Sequence, residues 1–261
     1  MDTALGSSDG NRVPSSTFCG ADEIYESCFH HSAIAALRAF NAHFDERSLT
    51  RSELRLFLAS MASFNRHTIG GIAILAGRLS DEVLPLLPRN GHEVGAYVLD
   101  AAVDEYGLRE SVTHVELARN FAEHLGVSAE EVEARDNACA AARELGEALF
   151  SWYRERPVAF ALGVHAASEV TSLQEFVPWH GTFLKFPEYC FSCAAPAFEY
   201  MRAHVVHEPE HINGAKLCVR RYLGVFPDRG PLLQGGAEAY LFLYERMLLQ
   251  LDARIFGSGQ Q

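Results

Sequence analysis

The sequence predicts an all-α fold, a single-domain bundle of seven to eight helices. Three observations lead there. Apolar residues recur at the three- and four-residue spacing of a helix face through most of the 261-residue chain. Helix-start and helix-stop signals punctuate those stretches, while short β-branched runs alternating with turn dipeptides are nearly absent. No repeat of fixed period and no linker divides the chain, and 48% apolar content suffices for one substantial core.

Taken in order, residues 21–44 carry Ile34, Leu37 and Phe40 at helical spacing, and "DERS" then breaks the pattern. Thr50 followed three positions later by Glu53 forms a capping-box pattern that opens the amphipathic run to residue 79, with Gly70–Gly71 as a kink or helix end. The Pro- and Gly-rich "LPLLPRNG" leads into "HEVGAYVLDAAVDEYG" and then "SVTHVELARNFAEHLG", whose Gly126 is a C-cap signal. Ser128 with Glu131 repeats the capping-box pattern ahead of a helix running to about residue 156. Pro157 opens the next helical segment and Pro187 closes it. The segment around "YMRAHVVHEPEHINGAKLC" follows, and residues 237–256 form a last amphipathic helix. The helical domain therefore spans 18–256, with residues 1–17 and 257–261 expected to be disordered tails.

Charge and composition narrow the function. A net charge of −12 repels phosphate backbones and anionic membrane surfaces, so neither a nucleic acid nor a membrane is an expected partner. No run is long and apolar enough for a bilayer span, and the N-terminus lacks a secretory pattern, so a cytoplasmic location is expected. Six cysteines in this length are not a disulfide scaffold. Cys190 and Cys193 have CxxC spacing, half of a zinc site or a redox pair, but no second CxxC follows.

The chemistry concentrates in "HVVHEPEH". On a helix of about 100° per residue, His204, Glu208 and His211 fall near 0°, 40° and −20°, so they share one stripe. Glu208 and His211 make the Glu-x-x-His pair with which bundle proteins hold two irons or manganeses. His207 sits at the margin of the stripe, and Pro209 argues for a kink. A dinuclear site needs about six donors from several helices, and other segments supply Glu105, His114 and Glu169. Glu105 and His114 lie about 180° apart on one ideal helix, so Gly107 must mark a break between them, or Glu110 replaces Glu105. Glu175 is the alternative to Glu169. Tyr97, Tyr106, Tyr200 and Phe176 are candidate pocket aromatics, with His165 and His180 as flanking imidazoles.

The order "DEYG", then His114 leading "HVELARNFAEHLG", then a glutamate after "GVHAAS", then "HxxxExxH" over "EPEH", resembles the heme-oxygenase-like diiron oxidases and oxygenases across residues 25–225. That resemblance implies a heme-oxygenase-like bundle that binds no heme and assembles two Fe(II) ions to activate O2. It implies the metal set Glu105, His114, Glu169, His204, Glu208 and His211, where Glu208 departs from the Asp the family usually carries. Three carboxylates against two Fe(II) leave a residual charge of roughly +1, room for a substrate carboxylate. The implied activity is O2-dependent C–H abstraction on a small aliphatic molecule, a free amino acid by analogy, ending in desaturation, cyclisation, C–C cleavage or N-oxygenation within a specialised biosynthetic pathway. The rivals are a fatty-acid oxidative decarboxylase of the same fold and a metal-free TenA-like hydrolase or binding protein. An external electron donor and a homodimer are both compatible with the sequence.

Overall fold

The computed structural model describes residues 20–87, 91–108 and 112–257. Residues 1–17, 258–261 and Glu110 lie outside it. Among the described residues there is no strand, and the order is α1 (Ala21–His30), α2 (Ser32–Phe44), α3 (Arg51–Asn65), α4 (Thr68–Val83), α5 (Gly91–Glu105), α6 (His114–His124), α7 (Ala129–Glu133), α8 (Ala140–Glu155), α9 (Val158–Lys185), α10 (Glu199–Val225) and α11 (Gly230–Ile255), with single 3₁₀ turns between several of them. No described helix is long and apolar enough to cross a membrane.

The segments outnumber the expected seven or eight because three predicted helices are each divided. At the first break, His31 takes an extended conformation, and its Nδ1 accepts from the Ala33 N–H at 3.1 Å, starting α2 anew. The second break, between α3 and α4, falls at Arg66–His67 rather than at Gly70–Gly71. Those glycines are inside α4, where the Tyr153 ring lies so close to Gly71 that an added Cβ would sit 2.4 Å from it. The "GG" signal is therefore close packing, not a kink. The third break divides residues 128–156 into the short α7, a 3₁₀ turn and α8. At the C-terminus, α11 begins at Gly230, earlier than the expected residue 237, with Pro231 in its first turn, where its missing N–H costs nothing.

Local signals otherwise map onto structure. The Thr50 hydroxyl caps the Glu53 N–H while the Glu53 carboxylate accepts from the Thr50 N–H at 2.8 Å, and Ser128 with Glu131 repeats the arrangement. Gly107 is left-handed at φ 67°, and its N–H and that of Leu108 return to the carbonyls of Asp104 and Val103. This closing motif ends α5 and turns the chain toward α6.

Helix α9 is the axis of the bundle. Its buried residues fall on all sides, from Val158 through Leu162, Ala166 and Val170 to Phe183, the pattern of a helix enclosed by others. Its main neighbours are α11 and α10. Close approach to α11 depends on two facing glycines. A Cβ on Gly163 would sit 1.9 Å from the Leu233 carbonyl oxygen, and one on Gly236 would sit 2.0 Å from that of Phe160. Toward one end, edge-to-face aromatic pairs fix the layers, with Phe57 on Trp179 at 5.0 Å and Phe121 on Phe183 at 4.9 Å. The Trp179 indole N–H donates to Asn41 Oδ1 at 2.9 Å, so this large ring is buried with its polar atom satisfied.

Candidate metal centre

Four elements deliver the six candidate ligands to one place. Glu105 is the last residue of α5, His114 the first of α6, Glu169 lies mid-helix on α9, and His204, Glu208 and His211 lie on α10. The left-handed Gly107 is the break that lets Glu105 and His114 face each other, and the His114 Nδ1 stands 3.3 Å from Glu105 Oε2. Helix α10 runs through Pro209 as one element, so its three residues keep the helical register and all three are buried. The six divide into two groups, Glu105–His114–His204 and Glu169–Glu208–His211, and in each the potential ligand atoms lie within 4.8 Å of one another. Cys190 and Cys193 belong to neither group and are exposed thiols between α9 and α10.

Hydrogen bonds orient the imidazoles. The His204 Nδ1 pairs with the Tyr200 carbonyl at 2.8 Å, leaving Nε2 for the first group, and the His204 ring stacks on Phe176 at 3.8 Å. His211 is turned the other way. Its Nε2 meets Asp104 Oδ2 at 2.8 Å, while its Nδ1 faces Glu169 Oε2 at 3.9 Å and Glu208 Oε2 at 3.8 Å. A carboxylate holding the far nitrogen of a histidine is the usual support of a metal-binding imidazole. Sequence reasoning missed Asp104. Its only signal was its place beside Glu105 in "DEYG", where one step along the helix aims it at α10 rather than at the first group.

The electrostatics suit a cation. Burial pushes the Glu169 carboxyl up to about 7, with Glu105 adding to the shift and His211 opposing it. Burial and the facing Glu169 hold Glu208 well above its ordinary value. For Glu105, burial also works upward, but the hydrogen bond from His114 and the neighbouring imidazoles outweigh it, so this carboxylate stays ionised. Burial, with His114 alongside, lowers His204 to about 3, keeping the ring neutral as a metal ligand must be. Glu208 Oε2 is buried with no hydrogen-bond partner. Two facing buried carboxyls cannot both ionise unless a cation sits between them, and mixed nitrogen and oxygen donors of this kind suit iron. The residues present fit a two-metal group.

His165 is buried with Nδ1 3.3 Å from Glu169 Oε1. Glu175 is buried outside both groups and accepts a hydrogen bond from the Tyr244 hydroxyl. His207 is half-buried and Glu210 exposed, and neither joins a group. Phe176 and Tyr200 line the cavity beside the cluster, whereas Tyr97 and Tyr106 do not, Tyr106 being exposed at the end of α5. His180 packs on Phe198 at 5.0 Å instead.

All six candidate ligands border one cavity of about 490 Å³, within the range of small-molecule sites. Its apolar wall comes from Leu58, Met61 and Phe64 of α3 and Ile69 and Ile72 of α4, and Arg66 and Arg119 also border it.

Similarity to known proteins follows the same lines. Residues 72–245 match the model of a family described as iron-containing redox enzymes. A comparison with curated proteins finds no match in sequence. Among solved structures, the chain is similar to a CADD-like protein of unknown function from Nostoc punctiforme, at 14% identity over 90% of this chain and 96% of that one, with a TM-score of 0.65. It is also similar to a domain of unknown function with a heme oxygenase-like fold from Shewanella denitrificans, at 14% identity over 92% and 93% of the two chains and a TM-score of 0.62. A TenA homolog from Pseudomonas syringae pv. tomato follows at 12% identity, 84% and 91% coverage and a TM-score of 0.57. The α-helical architecture is thus heme-oxygenase-like, and by the match of its family model over most of its length the chain belongs to the iron-containing redox enzyme family.

Proposed function

We propose that the chain is an O2-dependent non-heme diiron oxidase acting on a small aliphatic substrate, with free amino acids as the favoured class. The observation that carries the reading is the pair of buried histidine and carboxylate groups bordering one cavity. Glu105, His114 and His204 would hold one iron, and Glu169, Glu208 and His211 the other. Bound iron would supply O2 activation and the oxidising power for C–H abstraction. The protein contributes the rest. Tyr200 and Asp104 fix the imidazole orientations, Phe176 backs His204, and the apolar wall of α3 and α4 positions the aliphatic part of a substrate away from water.

Two other readings compete. The apolar wall would also suit a fatty acid, with Arg66 or Arg119 beside its carboxylate. A metal-free TenA-like enzyme would need a cysteine nucleophile, and none of the described residues lining the cavity is a cysteine. Anaerobic Fe(II) titration with metal analysis tests the proposal: two irons per chain are expected, followed by a transient visible absorption band when O2 is added. No iron uptake would refute it. Incubation of the iron-loaded protein with O2 and single amino acids or fatty acids, read as mass change, identifies the substrate class.

A further inference from the structure

Among the described residues, the six candidate ligands account for every buried acid of the cavity wall except one. Glu175 lies on α9 six residues past Glu169, is buried, and lines the same cavity. Its only hydrogen bond among the described residues is the one that Tyr244 donates to Oε1. The ionisable groups that sense its charge are Tyr244 and Tyr240 of α11 and Tyr200 and Glu208 of α10, and among the described residues no Lys or Arg pairs with it. Burial raises it to about 8, with the Tyr244 hydrogen bond acting in the opposite direction.

A buried acid without a basic partner is costly to keep, and a hydrogen bond to Tyr244 alone could be made by a glutamine. The surroundings say what the acid could serve. Beside it on the cavity wall stand the hydroxyls of Ser168, Thr171, Ser172 and Tyr240, with Thr171 Oγ1 3.0 Å from the Tyr240 hydroxyl. The aliphatic wall of α3 and α4 lines the same cavity. The lining thus combines buried acids and hydroxyls with an aliphatic wall, and the guanidiniums of Arg66 and Arg119 join it from exposed positions. Its complement is a molecule with an ammonium group on an aliphatic chain.

We propose that Glu175 anchors the ammonium group of the substrate, so that the cavity selects aliphatic primary amines, amino acids among them, over isosteric alcohols. This rests on the reading of the cavity as the substrate site of the proposed oxidase. Glu175 is here a specificity-determining residue that touches substrate, not a metal ligand. The carboxylate and ammonium form a charge-assisted pair in a region shielded from water, where such a pair is stronger than at the surface.

The test is calorimetric titration of the Fe(II)-loaded protein under anaerobic conditions with n-hexylamine and with 1-hexanol, on wild type, Glu175→Gln and Glu175→Asp. Wild type is expected to bind hexylamine at least about tenfold tighter than hexanol. Glu175→Gln should lose that preference while hexanol affinity stays within about twofold, and Glu175→Asp should keep part of it, which a merely structural role of the carboxyl would not produce. Equal affinities in wild type, a preference that survives Glu175→Gln, or no hexylamine binding would each overturn the proposal. Iron content measured on the same samples separates the two readings. Amine selectivity in protein that takes up no iron sustains this inference while refuting the diiron reading, and two irons without amine selectivity do the reverse.

Discussion

Replacing Glu175 by Gln removes a titration buried in the core, and its effect on stability can be worked out in advance. The carboxyl is raised from an ordinary 4.5 to about 8 by burial. Below 4.5 the side chain is protonated in folded and unfolded chains alike and contributes nothing to pH dependence. As pH rises toward 8 the unfolded chain ionises freely while the folded chain resists, so stability conferred by the protonated form is lost. At roughly 1.4 kcal/mol per pH unit the full rise corresponds to about 5 kcal/mol, of which about 3 to 4 kcal/mol develops between pH 5 and pH 8. Gln has nearly the same shape, keeps an oxygen for the Tyr244 hydroxyl and cannot ionise. In iron-free protein, urea unfolding followed by circular dichroism should therefore show Glu175→Gln gaining about 3 to 4 kcal/mol over wild type between pH 5 and pH 8. Comparing the two proteins removes most of the contribution of Glu169, which both retain, whereas Glu208 interacts with Glu175 and its own titration eases in the variant, which adds to the gain. A difference that stays flat within about 1 kcal/mol over that range would show that Glu175 is solvated or paired and refute the reasoning.

Further outcomes follow from other parts of the molecule. His211→Ala and His114→Ala should each lower ferrous iron uptake from two equivalents to one, because each removes a donor from a different group, whereas Glu175→Ala should leave two; metal analysis after desalting reads this. Asp104→Asn should keep the stoichiometry but weaken iron binding by about 10- to 100-fold, since it alters the support of His211 rather than a donor, and competition with a chelator measures it. Gly163→Ala should destabilise by about 3 kcal/mol or more through the clash with the Leu233 carbonyl. Gly77→Ala, with open space around its Cβ, should be neutral or stabilising by up to about 1 kcal/mol, and thermal melts of the two variants make the comparison.

Much of this arrangement was legible in the chain because it is local. The shared stripe of His204, Glu208 and His211 depends only on helical periodicity, and α10 preserves it through Pro209. The break between Glu105 and His114 followed from their opposed helical angles, and the left-handed Gly107 supplies it. The split of residues 21–44 at His31 was not legible, since the apolar spacing continues across it and one extended residue makes the break. Gly70–Gly71 misled for a related reason. Glycine marks either a bend or a close neighbour, and the neighbour here, Tyr153, lies far along the chain.

The helical character of the protein and the aligned donors of α10 are written into local sequence, because spacing, capping and glycine placement act within a few residues. The packing of distant segments is what joins Glu169 rather than Glu175 to Glu208 and His211, sets Asp104 on His211, and leaves Glu175 facing the cavity with no basic partner among the described residues. Those outcomes depend on the rotation of α9 against α10 and α11, which is set by facing glycines and packed side chains from distant parts of the chain, and no local pattern encodes it.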